Sequence, residues 1–343
     1  MMAGTFEAET ALHAIIPNHV PKPTAWGTYK TQSDIHFYLC EFVEMSDRLP
    51  SCRQWAEATS QLHVRSAGKC PQGRSKFGFH ITTHLANIPI DNSWHDSWES
   101  FWAWQMKSLL KHEERIRGPN HEFSRLKQSF FDKVIPRLLR PLEARGRRIN
   151  ACLIHSDLWP GNVMHKAEVR DLVMFDSCPY WGHNEADLAV CRNPRYRLGK
   201  AYVEAYRRCM PEFPSHPTED FEDRNALYAM KFHILLSILY PSDSRYRRIL
   251  MDEMRQLAEK FPTGYASYEE KEEIEIVEEP ILLSYIDPIA QEEDRKRRSM
   301  KKQRESAVEG SIPLLEVLLF GVLAILIALP LGFGLFPPEK QQV

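Results

Sequence analysis

Between Leu153 and Val190 the chain reads LIHSDLWPGNVMHKAEVRDLVMFDSCPYWGHNEADLAV, and His155, Asp157, Asn162 and Asp176 stand within it. Asp157 follows His155 by two positions, Asn162 follows Asp157 by five, and Asp176 closes a short apolar run. These residue types at this spacing suit phosphoryl transfer. One carboxylate must accept the proton of an attacking hydroxyl, and Asp157 fits that role. An amide oxygen and a second carboxylate must hold Mg²⁺ against the phosphates of ATP, and Asn162 and Asp176 fit that one. His155 is expected to brace the loop by hydrogen bonding. A hydrolase site built on a D-x-D pair fits less well, because Cys178 stands where the second aspartate is needed.

The elements around this segment must aim its side chains. Ile149–Ile154 and Asp171–Phe175 are short apolar runs, so they read as strands forming a hairpin-like frame around the loop. His36–Met45 reads as another strand. Trp94, Trp98, Phe101, Trp102, Met106, Leu109 and Leu110 recur at spacings of three and four, which predicts an amphipathic helix over Trp94–Arg115. A second is expected over Phe123–Arg145, and further helices over Asp187–Tyr206 and Asp223–Phe261. From Tyr268 the chain turns acidic and proline-punctuated, as a linker would.

At these residues the chain resembles the fructosamine kinase / ketosamine-3-kinase family. HSDLWPGNV followed by FDSCPYWGHNEADLAV is similar to that family's H-G-D-L-W-x-G-N and D-P-A-x-x-x-G-x-x-E-x-D-L-A, with Ser156 in place of the usual glycine and Ser177-Cys178 in place of Pro-Ala. Phe77-Gly78-Phe79, Asn92-x-Trp94 and Arg224-x-x-Leu227-Tyr228 add to the resemblance, which covers residues 5–262. It implies an α+β, protein-kinase-like, two-lobed fold: lobes at 1–46 and 47–267, with the catalytic loop in a mainly helical C-lobe. It implies ATP and Mg²⁺, and a ketosamine substrate, either a sugar-modified protein or a small molecule. It also implies roles for single residues. Glu7, or as second choice Glu9, would be the helix glutamate of the nucleotide site. Glu41, Phe42 and Val43 would border the adenine, and Trp94, Trp159, His183 and Glu185 would contact substrate. The chain holds only Gly4 and Gly27 before residue 68, and only Lys22 and Lys30 as early lysines. The glycine-rich hairpin and the phosphate-gripping strand lysine are therefore expected to be missing, and the N-lobe incomplete. That keeps a second reading open, a membrane-tethered pseudokinase acting as a scaffold.

The rest of the composition bounds the function. The chain has 343 residues, 43% hydrophobic and 26% charged, with a formal net charge of -2. This is globular composition, and so small a net charge argues against broad nucleic-acid binding. The 7 cysteines include no C-x-x-C pair and read as free thiols. Val317–Phe336 is an uncharged apolar run of 20 residues, preceded by seven Lys/Arg in Asp294–Arg304. Such a run is long enough to cross a bilayer, and the basic flank marks the cytosolic side. The expectation is a linker over 268–311, a single-pass transmembrane helix at 312–336, a tail at 337–343, and a catalytic body held in the cytosol at a membrane.

Overall fold

The computed structural model describes residues 1–46, 48–167, 171–193, 196–266 and 268–269. The chain divides into two units, Met1–Glu275 and Ile276–Val343, and every described residue lies in the first.

The N-terminal part is one helix and one hairpin. Helix α1 runs Met2–Ile15 and buries Gly4, Ala8, Glu9 and Leu12. At Gly4 a Cβ would overlap the carbonyl oxygen of Thr82, so glycine is what permits this close approach. Strands β1 (Pro23–Tyr29) and β2 (Gln32–Cys40) pair antiparallel. The expected strand over His36–Met45 stops at Cys40, and 41–44 lead irregularly into the two-residue strand β3 (Met45–Ser46).

The remainder is mainly helical: α2 (Cys52–Ser66), α3 (Trp98–Arg117), α4 (His121–Ser129), α5 (Ile135–Leu139), α6 (Lys200–Cys209), α7 (Phe221–Leu239) and α8 (Ser244–Lys260). The side chains of Ser51, Ser97, Asn120 and Asp243 accept backbone N–H groups at the starts of α2, α3, α4 and α8. The cap at Ser97 explains why α3 starts at Trp98 rather than Trp94. The helix expected over Phe123–Arg145 is a broken run. A π-helical turn at Phe130–Val134 joins α4 to α5, and a 3₁₀ turn at Arg140–Leu142 ends it. Pro136 and Pro141 offer no N–H to the regular ladder, which is a physical reason for both irregularities. The tryptophan block is core. Trp98 and Trp102 are buried, and Trp98 Nε1 donates to Tyr228 Oη at 2.8 Å.

Six short strands frame the central loops. Strand β4 (Thr83–Leu85) pairs with β5 (Ile88–Ile90). Strand β6 (Cys152–Ile154) pairs with β9 (Tyr180–Gly182). Strand β7 (Val163–Lys166) pairs with β8 (Leu172–Met174), with β3 on its other edge. The expected hairpin of Ile149–Ile154 with Asp171–Phe175 is therefore replaced by a crossover. Each of the loops 155–162 and 175–179 leaves one sheet and enters the other, so the two run side by side.

The membrane-anchored, single-pass location is corrected. Among the described residues no helix is long and apolar enough to cross a membrane. The two longest, α3 and α7, carry internal charges, including Lys107 and Glu113 in α3 and Arg224 and Lys231 in α7. The segment 312–336 on which the anchor was placed lies outside the described residues, as do the linker beyond Glu269 and the tail.

Candidate active site

The crossover brings Asp157, Asn162 and Asp176 together. Phe175 N donates to Asn162 O at 3.1 Å and Cys178 N to His155 O at 3.0 Å, zipping the two loops along their length. Asn162 is the bridge. Its Nδ2 donates to Asp157 O at 3.1 Å, to Asp157 Oδ2 at 2.9 Å and to Asp176 O at 3.3 Å. The amide nitrogen is thus committed, and the amide oxygen is the atom left to accept. Asp176 has φ +55° and accepts no hydrogen bond on its carboxylate among the described residues. An amide oxygen and an open carboxylate are hard oxygen donors of the kind Mg²⁺ prefers, and this ion commonly completes its shell with water and phosphate. The residues present therefore fit Mg²⁺. Among the described residues no group of three His, Cys, Asp or Glu side chains forms a metal cage.

Electrostatics mark the same place. Burial pushes the Asp157 carboxyl up to about 7; Asp176 and Asp187 add to that, while Lys231 and the Asn162 hydrogen bond oppose it. Burial also raises Asp176, although solvent reaches it. His155 is fully buried, which lowers its imidazole to about 4 and keeps it neutral. Its Nδ1 accepts the Asp157 N–H at 3.3 Å, a direct brace on the loop.

Asp187 and Lys231, outside the expected set, and Glu9, the second choice for the helix glutamate, hold this machinery. Asp187 accepts the N–H groups of His155 at 2.8 Å and Ser156 at 2.5 Å, and the Nε2–H of His63 at 3.0 Å. Burial alone would raise Asp187, but His63, His155 and these donors outweigh it and hold the carboxyl below its usual range. Glu9 on α1 accepts both Ser177 N at 2.9 Å and Ser177 Oγ at 2.8 Å, beside Asp176. Its Oε2 is buried without a partner. Lys231 on α7 reaches the loop from behind and donates to Ser156 Oγ. Asp187 lies inside the resembling motif, but nothing in its residue type distinguishes a buried backbone anchor from a helix cap.

The expected nucleotide and substrate residues divide. Glu7 turns outward to His80, with a hydrogen bond of 3.1 Å, so the glutamate facing the loops is Glu9. Glu41, Phe42 and Val43 border one cavity of about 500 Å³ with Pro17, Lys166 and Val173. Glu41 Oε2 accepts Lys22 N at 3.1 Å, and Phe42 is 89% exposed. Trp159 is 38% exposed at the loop and packs its ring against Tyr196 at 5.8 Å. A Cβ at Gly161 would overlap that ring, so Gly161 is needed beneath it. Trp94 is half-buried against the core next to Gly78. His183 and Glu185 lie inside the protein and are not brought to the site. His183 Nδ1 bonds Tyr228 Oη and Nε2 bonds Ser215 Oγ, both at 2.8 Å. Glu185 accepts Arg224 Nε at 2.7 Å, Arg224 Nη2 at 3.0 Å and Ser215 N at 2.8 Å. Their polar atoms are spent on the fold.

The chain is similar to several known proteins. The chloroplastic protein-ribulosamine 3-kinase of Arabidopsis thaliana is 24% identical over 225 residues, 63% of this chain and 60% of that protein. The ketosamine-3-kinase of Mus musculus is 30% identical over 161 residues, 47% of each chain. This chain thus spans about half to three fifths of the length of these curated relatives. Among solved structures, a proposed fructosamine-3-kinase from Haemophilus somnus aligns with a TM-score of 0.56 at 20% identity, covering 74% of this chain and 79% of that one. That likeness establishes the kinase-like fold. A family model described as Fructosamine kinase matches residues 1–259. The chain therefore belongs to the fructosamine kinase family.

Proposed function

We propose that this chain is an ATP- and Mg²⁺-dependent kinase that phosphorylates a sugar hydroxyl of ketosamines, of the ribulosamine or fructosamine type. The observation that carries the reading is the Asn162 amide joining the Asp157 carboxylate to the backbone of Asp176. Phosphoryl transfer asks little covalent chemistry of a protein and much positioning, which two zipped loops provide.

Asp157 takes the proton of the attacking hydroxyl. A carboxylate raised to about 7 is a stronger base than an exposed one and still loses its proton near neutral pH. The Asn162 N–H fixes Oδ2, so the other oxygen remains to meet the hydroxyl. Asn162 and Asp176 would hold Mg²⁺, which when bound supplies charge neutralisation for the phosphates. Trp159 offers an exposed aromatic face beside the loop, suited to stacking on a sugar or its amine. Glu41, Phe42 and Val43 border the nucleotide base in this reading.

A second reading rests on Glu9. Among the described residues no lysine pairs with it, and its Oε2 stays buried and unpaired. A kinase-like site usually opposes this glutamate with the lysine that grips the phosphates. A nucleotide-binding scaffold without turnover would tolerate that gap. Ribulosamine-driven ADP formation by the full chain, with Asp157→Asn as control, separates the two.

A further inference from the structure

A cavity of about 610 Å³ lies between the segment that follows Cys191, the start of α6 and the start of α7, and none of the residues assigned above to catalysis, metal or nucleotide lines it. Asn225 lines it from α7 and is 5% exposed, yet its Nδ2 is buried with no hydrogen-bond partner among the described residues. Leaving such a donor unpaired costs free energy, and buried polar groups in folded proteins nearly always have a partner. The charge around the cavity is one-sided. Arg192, Arg197, Lys200 and Arg207 line it, against two carboxylates, Glu204 and Glu222. Glu253 lies 3.6 Å from Arg192, and Glu204 lies 3.8 Å from Arg207. Arg197 and Lys200 have no hydrogen bond or ion pair through their side chains among the described residues. Lys200 is also the first residue of α6, where the helix dipole is already positive and a cation is unfavourable. That helix has no acidic residue in its first turn and no side chain capping its leading N–H groups. A Cβ on its cap residue, Gly199, would meet nothing within 4 Å, which leaves room beside those N–H groups.

We propose that this cavity binds the phosphate group of a small molecule, held by Asn225 Nδ2, the first N–H groups of α6, Arg197 and Lys200. An unpaired amide donor, a helix start and an excess of cations all select an oxyanion. The excess is two charges, which suits a phosphate at neutral pH better than a carboxylate, because a carboxylate would leave one cation uncompensated. The remaining wall includes Leu198, Val203 and Phe221, apolar surface for the body of a phosphate ester. The site stands apart from the kinase reading, since no residue of the proposed reaction takes part in it.

The test is isothermal titration calorimetry of the full chain with sodium phosphate and, in separate runs, with glucose 6-phosphate and glucose. Ionic strength is held constant, and nucleotide and Mg²⁺ are left out. Saturable phosphate binding is expected, with none for glucose. Tighter binding of glucose 6-phosphate than of phosphate identifies an ester as the occupant, and equal or weaker binding identifies free phosphate. Asn225→Leu is expected to weaken phosphate binding at least about tenfold, the worth of a hydrogen bond to a charged group. Lys200→Glu is expected to abolish it. Each change also relieves the phosphate-free protein, of an unpaired buried donor in the first case and of a cation at a helix N-terminus in the second. The thermal midpoint without phosphate should therefore hold or rise in both variants, while the further rise that phosphate gives the wild type is lost. A residue with a purely structural role would show the reverse, a lower midpoint and unchanged binding. Should Asn225→Leu fail to fold, Lys200→Glu carries the same test from an exposed position. No saturable phosphate binding by the wild type, or binding that either variant leaves unchanged, would overturn the proposal.

Discussion

Asp187 Oδ2 lies 2.8 Å from the backbone nitrogen of His155, so a residue 32 positions downstream sets the turn that aims Asp157. His63 from α2 backs the same oxygen at 3.0 Å, and the Tyr206 hydroxyl lies 2.7 Å from His63 Nδ1. The catalytic loop thus hangs on a buried chain of polar groups rather than on its own short strands.

Replacing Asp187 by Ala should therefore leave two loop N–H groups and His63 buried without an acceptor. The expected cost is about 3 kcal/mol, from unsatisfied buried donors. Urea unfolding at pH 7 measures it. Because its folded carboxyl sits below the ordinary value of 3.8, this stabilisation is complete above that pH and is lost as pH falls through the lower folded value. The wild-type and Asp187→Ala curves should converge only in that acid range.

Glu9 has the opposite sign. Burial raises it from 4.5 to about 7, so between these pH values the folded chain holds a proton that the unfolded chain has lost. Its contribution to stability falls as pH rises through that window. Glu9→Gln keeps an acceptor for Ser177 without the charge. It should leave stability unchanged at pH 4 and raise it at pH 8 by about 3 kcal/mol, at 1.36 kcal/mol per pKa unit. Equal stability of the two proteins at pH 8 would show that Glu9 is not desolvated as described.

Glu185 and Arg224 form a fully buried, two-pronged pair. Glu185→Gln should cost about 3–5 kcal/mol by leaving a guanidinium uncompensated. Replacing both by Leu and Met should restore most of that. A Glu185→Gln protein of normal stability but raised ketosamine KM would return Glu185 to the substrate site.

Trp159→Ala should raise the KM for a ketosamine about tenfold, the scale of a lost aromatic contact, and leave the KM for ATP alone. Gly161→Ala, which pushes a methyl into the Trp159 ring, should act in the same direction.

The local part of the site was legible in the sequence. Asp157, Asn162 and Asp176 are close in the chain and separated by apolar strands, so spacing alone indicates their convergence. What lies far apart in sequence was not. Glu7 and Glu9 share one helix and face different ways, and α1 is apolar on too many sides for its docked face to be read from pattern. Lys231 is hidden for the same reason, since α7 is buried nearly all round. His183 and Glu185 sit in the right motif with the right chemistry, yet their partners Tyr228, Ser215 and Arg224 turn them inward. The strand pairing followed the same rule. Two apolar runs flanking a loop suggest a hairpin, but only the positions of β7 and β9 reveal the crossover.

The most direct test of the account is ADP formation by the full chain with Mg²⁺, ATP and a ribulosamine, run beside Asp157→Asn. The account predicts sugar-dependent ADP release that falls at least about 100-fold in the variant, the usual worth of a general base, with Mg²⁺-dependent nucleotide binding retained. Equal rates in the two proteins, or nucleotide binding with no sugar-dependent turnover in either, would contradict it.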